Sequence, residues 1–383
     1  MESAALRDLL VTWAHLNSGS EHLAGLARMR AALENAFREK LPGAAISAID
    51  LPGTDAKALS VRMRPTAPMQ VLLSGHYDTV YGAEHPFQRC EQVDEKILRG
   101  PGVADMKGGI VVMLAALAGF EQTPEREKLG WEVLLTPDEE TGSTASRDAL
   151  REAAQRHQLG LVFEPAREDG SLVRSRMGTG VFTITCRGRA AHAASPRREG
   201  RNAIVALAEF LVSAERIQNE IPGVLLNVGH IAGGGALNIV PDRAIAGINI
   251  RVARTSAVAA VQDALAALAD AVNRREGFSL EITGGFDRPP LEPDGRTEAA
   301  FETWSAVARE GGVHLPGWID VGGGSDANLL AAAGLPCLDG LGPVGGKLHS
   351  PDEYVKIASL AERAKIAAAF LTRIAVRGTP FAA

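Results

Sequence analysis

Residues 71–80 constrain the fold more than any other stretch of the sequence. The stretch begins with apolar residues typical of a buried strand, and Ser74 and Gly75 end that run. His76 and Asp78 follow at once, two positions apart. Neutral imidazole is the commonest nitrogen ligand of divalent metals, and a ligating histidine usually donates its other N–H to a carboxylate. We therefore interpret His76 as a metal ligand at a strand end and Asp78 as the carboxylate that fixes its tautomer.

Strands and helices alternate through the first part of the chain. The apolar patterns predict strands at residues 58–63, 70–74, 131–136 and 159–163, and helices at residues 4–16, 22–38 and from the glycine-rich loop 100–109 to residue 120. This alternation predicts an α/β fold with a mixed, mainly parallel sheet flanked by helices. In such a sheet, ligands bind beyond the carboxyl ends of the strands.

The order of elements changes after residue 177. Strands are predicted at residues 180–186, 224–231, 244–252 and 279–283, with helices at 202–218 and 258–273. The resulting β-α-β-β-α-β order is that of a ferredoxin-like α+β domain. Because 383 residues exceed one ordinary core, we predict a discontinuous catalytic domain, residues 1–176 and 288–383, interrupted by an inserted domain, residues 177–287.

Composition excludes several classes of function. Apolar residues make up 46% of the chain and charged residues 22%, as in soluble globular proteins. A net charge of −6 argues against binding to nucleic acid. The apolar run 110–120 is too short to span a bilayer, and the N-terminus lacks a signal-peptide pattern. Three scattered cysteines favour a reducing compartment. We therefore expect a cytoplasmic protein with a small-molecule substrate and no nucleic-acid or membrane partner.

Acidic residues and a second histidine complete a set of candidate ligands with His76. They are Asp105 in the glycine-rich loop, Glu139 and Glu140 after strand 131–136, Glu164 after strand 159–163, and His349 near the C-terminus. Two histidines with several carboxylates and no cysteine suit zinc, manganese or cobalt. The pattern therefore predicts two divalent metal ions, with zinc as the first choice.

The ligands can be divided between two ions. Two metals about 3.5–4 Å apart need a bridging carboxylate, and Asp105 is the natural candidate. His76 and Glu164 would complete the shell of one ion. Glu140 and His349 would complete that of the other. Glu139 then ligates neither ion and is suited to act as a general base.

Each of these residues alone has a commoner explanation. The pair Glu139 and Glu140 could be solvated turn residues, His349 a surface histidine, and Asp105 a helix cap. Their convergence at the strand ends of one predicted sheet favours the metal site.

Four motifs follow one another in a specific order. They are His76-Tyr77-Asp78-Thr79-Val80, Gly100-Pro101-Gly102 through Asp105-Met106-Lys107-Gly108-Gly109, Asp138-Glu139-Glu140-Thr141-Gly142, and Phe163-Glu164-Pro165. In this order they resemble the motifs of the M20 metallopeptidases, and within them those of the bacterial glutamate carboxypeptidases of the carboxypeptidase G2 group. The resemblance covers nearly the whole chain. It implies a co-catalytic dizinc aminohydrolase fold, a homodimer built through the inserted domain, and a cis peptide bond between Asp105 and Met106.

The inserted domain carries further candidates for substrate binding. His192 and Asn238 could donate hydrogen bonds to a developing oxyanion, and Arg251 offers a planar fork to a carboxylate. Singly, each is more commonly structural. The resemblance implies that all three contact substrate, His192 from the partner subunit. It also implies that the backbone at Gly324 meets the terminal carboxylate of the substrate.

These observations predict a dimetal amide hydrolase in which Glu139, Asp78 and His192 are catalytic. The expected reaction releases a C-terminal amino acid, glutamate by resemblance, from an N-acyl or peptidyl substrate. Alternatives are an N-acyl amino acid deacylase of the aminoacylase, acetylornithine deacetylase or desuccinylase type, and a dipeptidase. A non-catalytic metal-dependent binding protein is disfavoured, because it would have no use for Glu139.

Overall fold

A computed structural model gives the structure of residues 2–196 and 199–381. The α-helices are α1 (Ser3–Ala14), α2 (Leu23–Lys40), α3 (Lys107–Phe120), α4 (Arg147–Gln155), α5 (Ala203–Glu215), α6 (Ile217–Glu220), α7 (Thr255–Asn273), α8 (Gly295–Glu310), α9 (Asp326–Ala332) and α10 (Ile357–Arg377). The strands are β1 (Ala45–Asp50), β2 (Lys57–Met63), β3 (Met69–His76), β4 (Glu91–Gln92), β5 (Ile97–Arg99), β6 (Leu129–Thr136), β7 (Leu159–Val162), β8 (Leu172–Arg176), β9 (Gly178–Arg187), β10 (Val224–Gly233), β11 (Arg243–Val252), β12 (Ser279–Arg288), β13 (Trp318–Val321), β14 (Cys337–Leu338), β15 (Gly345–Gly346) and β16 (Tyr354–Lys356).

The chain divides into two compact units. The first unit contains the residues up to Ser175, Pro293–Val321 and the residues from Ser325 onward. The second unit contains Arg176–Glu292 and the short segment Gly322–Gly324. The catalytic and dimerisation roles that the sequence assigns to residues 1–176 with 288–383 and to residues 177–287 stay predictions.

A six-stranded sheet forms the centre of the first unit. Its strand order is β1-β2-β6-β3-β7-β14. Strands β6, β3, β7 and β14 are parallel, whereas β1 and β2 join the edge antiparallel. All residues of β6 and nearly all of β3 are buried, which explains their continuous apolar sequences. Helices α3 and α9 both pack against β3. The prediction of a mixed, mainly parallel sheet flanked by helices is confirmed.

The pairing register brings the ends of three strands to one edge of this sheet. His76 at the end of β3 is aligned with Thr136 at the end of β6, and Ser74 is aligned with Val162 at the end of β7. The residues that follow these strands therefore emerge side by side. This edge positions the candidate site.

Two glycines allow the start of α3 to lie against this edge. A Cβ atom on Gly108 would come 2.2 Å from the carbonyl oxygen of Val103, and one on Gly109 would come 2.0 Å from that of Phe163. Any side chain at either position would push α3 away from the glycine-rich loop or from the end of β7.

An antiparallel sheet with helices forms the second unit. Its strand order is β10-β11-β9-β12, and α5 and α7 pack on its buried face. Along β9 buried and less buried residues alternate, as expected for a sheet covered on one side. The prediction of a ferredoxin-like insertion is confirmed at the level of the fold.

Three details differ from the sequence-based expectation. Strand β1 was not predicted, because most of its residues are exposed and it lacks an apolar run. The helix predicted at 202–218 is divided into α5 and α6 at Arg216. Strand β12 continues to Arg288, beyond the predicted end at residue 283, through a glycine pair that suggests a loop in the sequence.

Among the described residues, α7 is the one helix long and apolar enough to cross a membrane by length and composition. Its buried residues include Val261, Leu265 and Ala269, which recur every four positions and belong to the core of the second unit. That spacing is typical of an amphipathic helix that covers a sheet.

Candidate metal centre

The carboxylate of Asp105 lies between two histidines. Its Oδ1 atom is 3.1 Å from Nε2 of His76, and its Oδ2 atom is 3.2 Å from Nε2 of His349. His76 Nε2 is also 3.6 Å from Oε1 of Glu164, and His349 Nε2 is 3.1 Å from Oε2 of Glu140. Two groups of three ligand atoms result, both including Asp105, and in each group the atoms lie within 4.8 Å of one another. The structure thus brings all five predicted ligands together.

The two groups differ in their access to solvent. His76 is 1% exposed and Glu164 is 6% exposed, so the first group is buried. The His349 side chain is 56% exposed, so the second group is open. Each group offers three protein ligands, which is the number typical of catalytic metal sites that keep a position for water or substrate.

Asp78 contacts both His76 and the turn that carries Glu139 and Glu140. Its carboxylate lies 3.2 Å from Nδ1 of His76, which is the contact predicted from the sequence. It also accepts the backbone N–H groups of Glu139 and Glu140, both at 3.2 Å, and the hydroxyl of Ser20 at 2.7 Å. One buried carboxylate therefore aligns an imidazole and the turn after β6. The sequence did not indicate Ser20, which lies in the loop between α1 and α2.

Glu139 and Glu140 begin a short 3-10 turn, Glu139–Thr141. The Asp138 carboxylate, just before this turn, accepts the backbone N–H of Ala145 at 2.8 Å, which closes the turn. Glu140 belongs to the exposed group of ligands, whereas neither group contains the half-buried Glu139. Of these adjacent carboxylates, Glu140 therefore lies among the candidate ligands and Glu139 does not.

The loop that carries Asp105 is hydrogen-bonded to the side chain of Glu353. The backbone N–H of Asp105 donates to Oε1 of Glu353 at 3.1 Å. The peptide bond between Asp105 and Met106 is cis, so that prediction is confirmed. Sequence reasoning missed Glu353, since its partners are backbone N–H groups and a tyrosine 272 positions away, which form no sequence motif.

Neighbouring carboxylates shift the pKa values of the ligand side chains in both groups. Burial alone would lower the pKa of His76, but the carboxylates of Asp105 and Asp78 outweigh it and raise that pKa well above its usual range. Hydrogen bonds with Asp105 and Glu140 raise the pKa of His349 to about 11. Burial, and then the charge of Asp105, raises the pKa of Glu140 to about 7. The clustered carboxylates thus favour positive charge between them.

The donor set fits divalent metal ions. Imidazole nitrogen and carboxylate oxygen, without thiolate, are ligands that zinc, cobalt and manganese share. A cation between the ligand atoms would supply the positive charge that protons on the two histidines otherwise provide. His76, Asp105 and Glu164 could hold one ion, and Asp105, Glu140 and His349 another.

Two predicted substrate contacts lie on neighbouring segments of the second unit. The N–H of Ala193 donates to the carbonyl of Asn238 at 2.9 Å, and the N–H of Val240 donates to that of Ala191 at 2.8 Å. His192, between the paired residues, is exposed, as is Asn238. The two side chains are therefore available at adjacent positions, and their roles stay predictions.

The other two predicted contacts also meet within the second unit. Nη1 of Arg251 donates to the carbonyl of Gly322 at 2.9 Å. At Gly324 a Cβ atom would come 2.6 Å from Cδ of Arg288, so any larger residue there would displace the Arg288 side chain. Arg176, which sequence reasoning left outside the site, donates to the carbonyl of Gly324 at 3.3 Å. Arg251 and the glycine loop thus form one cluster.

Comparisons of sequence support a common origin with known hydrolases. Residues 72–373 match the family model described as Peptidase family M20/M25/M40. Carboxypeptidase G2 from Pseudomonas sp. (strain RS-16) is 30% identical over 305 residues, which cover 78% of this chain and 72% of that protein. The succinyl-diaminopimelate desuccinylase of Xanthomonas oryzae pv. oryzae (strain PXO99A) is 30% identical over 314 residues, which cover 77% of this chain and 80% of that protein.

Solved structures share the fold along almost the whole chain. The aminopeptidase PepT from Bacillus cereus has a TM-score of 0.80 at 21% identity and covers 98% of this chain and 99% of its own. The YXEP protein of Bacillus subtilis, described as a dinuclear metal binding peptidase from M20 family, has a TM-score of 0.74 at 14% identity. The match covers 97% of this chain and 99% of the YXEP chain.

Because Asp105 belongs to both ligand groups and Glu164 to one, their variants should differ in metal stoichiometry. Asp105→Asn should lose both tightly bound ions, whereas Glu164→Gln should lose only the ion of the buried group. Calorimetric titration of the metal-free proteins with Co²⁺ measures this directly. An Asp105→Asn protein that binds as many ions as the parent would contradict the shared role of Asp105.

Proposed function

Because the chain belongs to the peptidase family M20/M25/M40, we propose that it uses two divalent metal ions to hydrolyse an amide bond and release a C-terminal amino acid. Membership in the family makes the chain a metallopeptidase or amidohydrolase. The observation that carries the proposal is the carboxylate of Asp105 between His76 and His349. A carboxylate in that position can bridge two ions.

The ions are proposed to be zinc, with cobalt or manganese as alternatives. His76, Asp105 and Glu164 would hold one ion, and Asp105, Glu140 and His349 the other. When bound, such ions polarise the scissile carbonyl and lower the pKa of coordinated water. Asp78 orients the ring of His76 through the contact at Nδ1.

Glu139 is the proposed general base. It follows the same strand as the ligand Glu140 but lies outside both ligand groups. Its carboxylate would accept a proton from the attacking water and then pass it to the leaving nitrogen. His192 would donate a hydrogen bond to the tetrahedral oxyanion. A non-catalytic binding protein would not need a carboxylate in the position of Glu139.

The leaving amino acid is proposed to bind through its α-carboxylate. Arg251 is tied by Nη1 to the carbonyl of Gly322, and its remaining donors can form a bidentate pair with a carboxylate. Asn238 and the backbone near Gly324 would supply further donors. These donors would therefore select for a free α-carboxylate. Other contacts would recognise the side chain of the leaving amino acid.

Glutamate is the proposed leaving group, by similarity to carboxypeptidase G2 at 30% identity. A second candidate reaction is desuccinylation, because two succinyl-diaminopimelate desuccinylases of Xanthomonas oryzae pv. oryzae are also 30% identical to this chain. Deacylation of another N-acyl amino acid and cleavage of a dipeptide use the same centre.

A homodimer through the inserted domain completes the proposal. Strand β10 is an edge of the sheet and exposes Leu225 by 56% and Ile231 by 53%. On α5, Val205 and Val212 are exposed by 49% and 57%. An unpaired edge strand and exposed apolar side chains are suited to pairing with a second copy. A cytoplasmic location stays a prediction, supported by the free cysteines Cys90, Cys186 and Cys337.

Glu139→Gln should separate catalysis from metal binding. The substitution removes the base but no ligand, so kcat should fall by about 10²-fold to 10⁴-fold while both ions stay bound. Glu140→Gln should weaken the binding of one ion as well. Metal analysis of both purified variants, together with their kinetics, makes the comparison. A metal-depleted Glu139→Gln protein beside a metal-replete Glu140→Gln protein would require the two roles to be exchanged.

Cleavage should require a free α-carboxylate on the leaving amino acid. Leaving the donors of Arg251 without their anion should lower kcat/KM roughly 10-fold to 100-fold for an N-acyl-glutamate α-amide. Rates on N-acyl-glutamate, its α-amide, N-acyl-leucine and N-succinyl-diaminopimelate separate the alternatives. Equal rates on acid and amide would exclude the carboxylate anchor, whereas a preference for one of the other acids would change only the specificity.

Mixed dimers should reveal whether His192 acts on the partner. In a heterodimer of His192→Ala and Glu139→Gln subunits, one shared site would contain both changes and the other neither. Mixing the two inactive variants should therefore restore, in each heterodimer, up to about half of the activity of an unmodified dimer. Verified heterodimers without recovered activity would remove His192 from the neighbouring site, and a chain that sediments as a monomer would refute the dimer.

A further inference from the structure

The buried carboxylate of Glu353 accepts hydrogen bonds from three backbone N–H groups of the glycine-rich loop. The residue is 1% exposed. Its Oε2 atom accepts the N–H of Gly102 at 3.1 Å, and its Oε1 atom accepts the N–H groups of Ala104 at 3.0 Å and Asp105 at 3.1 Å. A carboxyl group offers several acceptor lone pairs, so it can take all three bonds. The peptide group that carries Asp105 is therefore held directly by Glu353.

Tyr81 connects Glu353 to the loop of the second histidine. This tyrosine is 3% exposed, and its hydroxyl lies 3.0 Å from Oε2 of Glu353 and 2.8 Å from the carbonyl oxygen of Ser350. A phenol has one hydrogen, so the two acceptors share it. Ser350 directly follows His349. The pair Tyr81 and Glu353 thus contacts the segment after β3, the glycine-rich loop and the His349 loop.

The His349 loop needs such support. His349 has φ of 58° and Lys347 has φ of 57°, both in the left-handed region that non-glycine residues rarely adopt. Such conformations persist only where the surroundings determine them. The hydroxyl of Ser350 donates to the carbonyl of Lys347 at 2.6 Å, and Tyr81 holds the carbonyl of Ser350. These contacts fix the backbone from which His349 reaches Asp105.

We propose that Glu353 is a positioning residue that sets Asp105 and, through Tyr81, His349 for metal binding. The inference rests on the proposed function, because it assumes that these two side chains are metal ligands. Glu353 itself lies outside both ligand groups and acts through the backbone of the glycine-rich loop and through the hydroxyl of Tyr81. Partners of this kind typically change metal affinity 10-fold to 100-fold when they are replaced.

Glu353→Gln and Tyr81→Phe should have different effects. The glutamine is isosteric, but its NH₂ group would face backbone N–H groups that need an acceptor. Because Asp105 belongs to both ligand groups, Glu353→Gln should raise the Kd of both ions about 10-fold to 100-fold. Tyr81→Phe leaves the three bonds to the glycine-rich loop in place. It should therefore weaken only the ion of the His349 group.

Glu132→Gln is the matched control. Glu132 is a carboxylate of the first unit with 2% exposure, paired with Arg156 at 2.8 Å and hydrogen-bonded to Ser60 at 2.9 Å. Neither ligand group contains it. Its replacement should lower the melting temperature without changing the Kd of either ion. A loss of stability alone is thereby distinguished from a loss of positioning.

The test titrates the metal-free full-length proteins with Co²⁺, following heat and the visible absorption of the bound metal. Two ions in the parent, with both weakened by Glu353→Gln and only one by Tyr81→Phe, would support the inference. A parent with two ions and a Glu353→Gln variant with both Kd values and the spectrum unchanged would overturn it. A parent that binds no ion would overturn the proposed function and this inference together. If Glu353→Gln does not fold, Tyr81→Phe decides, and two unchanged Kd values would overturn the inference.

Discussion

The contact of one carboxylate, that of Asp105, with two histidines is the interaction on which the candidate site depends. The two Asp105 oxygens face His76 and His349, at 3.1 and 3.2 Å, and further carboxylates flank both rings. Removing so many charges from water is costly unless opposite charge lies among them. The parallel strands β3, β6 and β7 meet this requirement by ending at one edge, which brings carboxylates and imidazoles into one space.

Buried carboxylates that do not belong to the ligand groups build the frame of the site. Asp78 accepts the N–H groups of Glu139 and Glu140, and Glu353 accepts that of Asp105. Both carboxylates fix the backbone that carries functional side chains, and Asp78 also contacts the ring of His76 directly. Loops alone would not hold five ligands within a few ångströms of one another, because each loop residue loses conformational freedom when it is ordered.

The sequence predicted the parts of the structure that burial imposes. Strands β3 and β6 are covered on both faces, so they read as apolar runs, and the residues just beyond them could be identified as site candidates. Strand β1 is mostly exposed and carried no such signal. Ser20 and Glu353 were missed for another reason. Ser20 donates to Asp78, and Glu353 accepts backbone N–H groups and contacts Tyr81. Only the folded loops bring these partners together.

The unequal burial of the two ligand groups has a consequence for the exchange of metal with solution. An ion held by His76 and Glu164 would be enclosed by protein, whereas one held by His349 would border on solvent. Ligands must move before an enclosed ion can leave, so the two ions would exchange at different rates. The protein could then be prepared with two different metals, one retained in the buried position and the other replaced from the buffer. In a cell, the identity of the outer ion would follow the supply of free metal, while the inner ion would record the metal present when the chain folded.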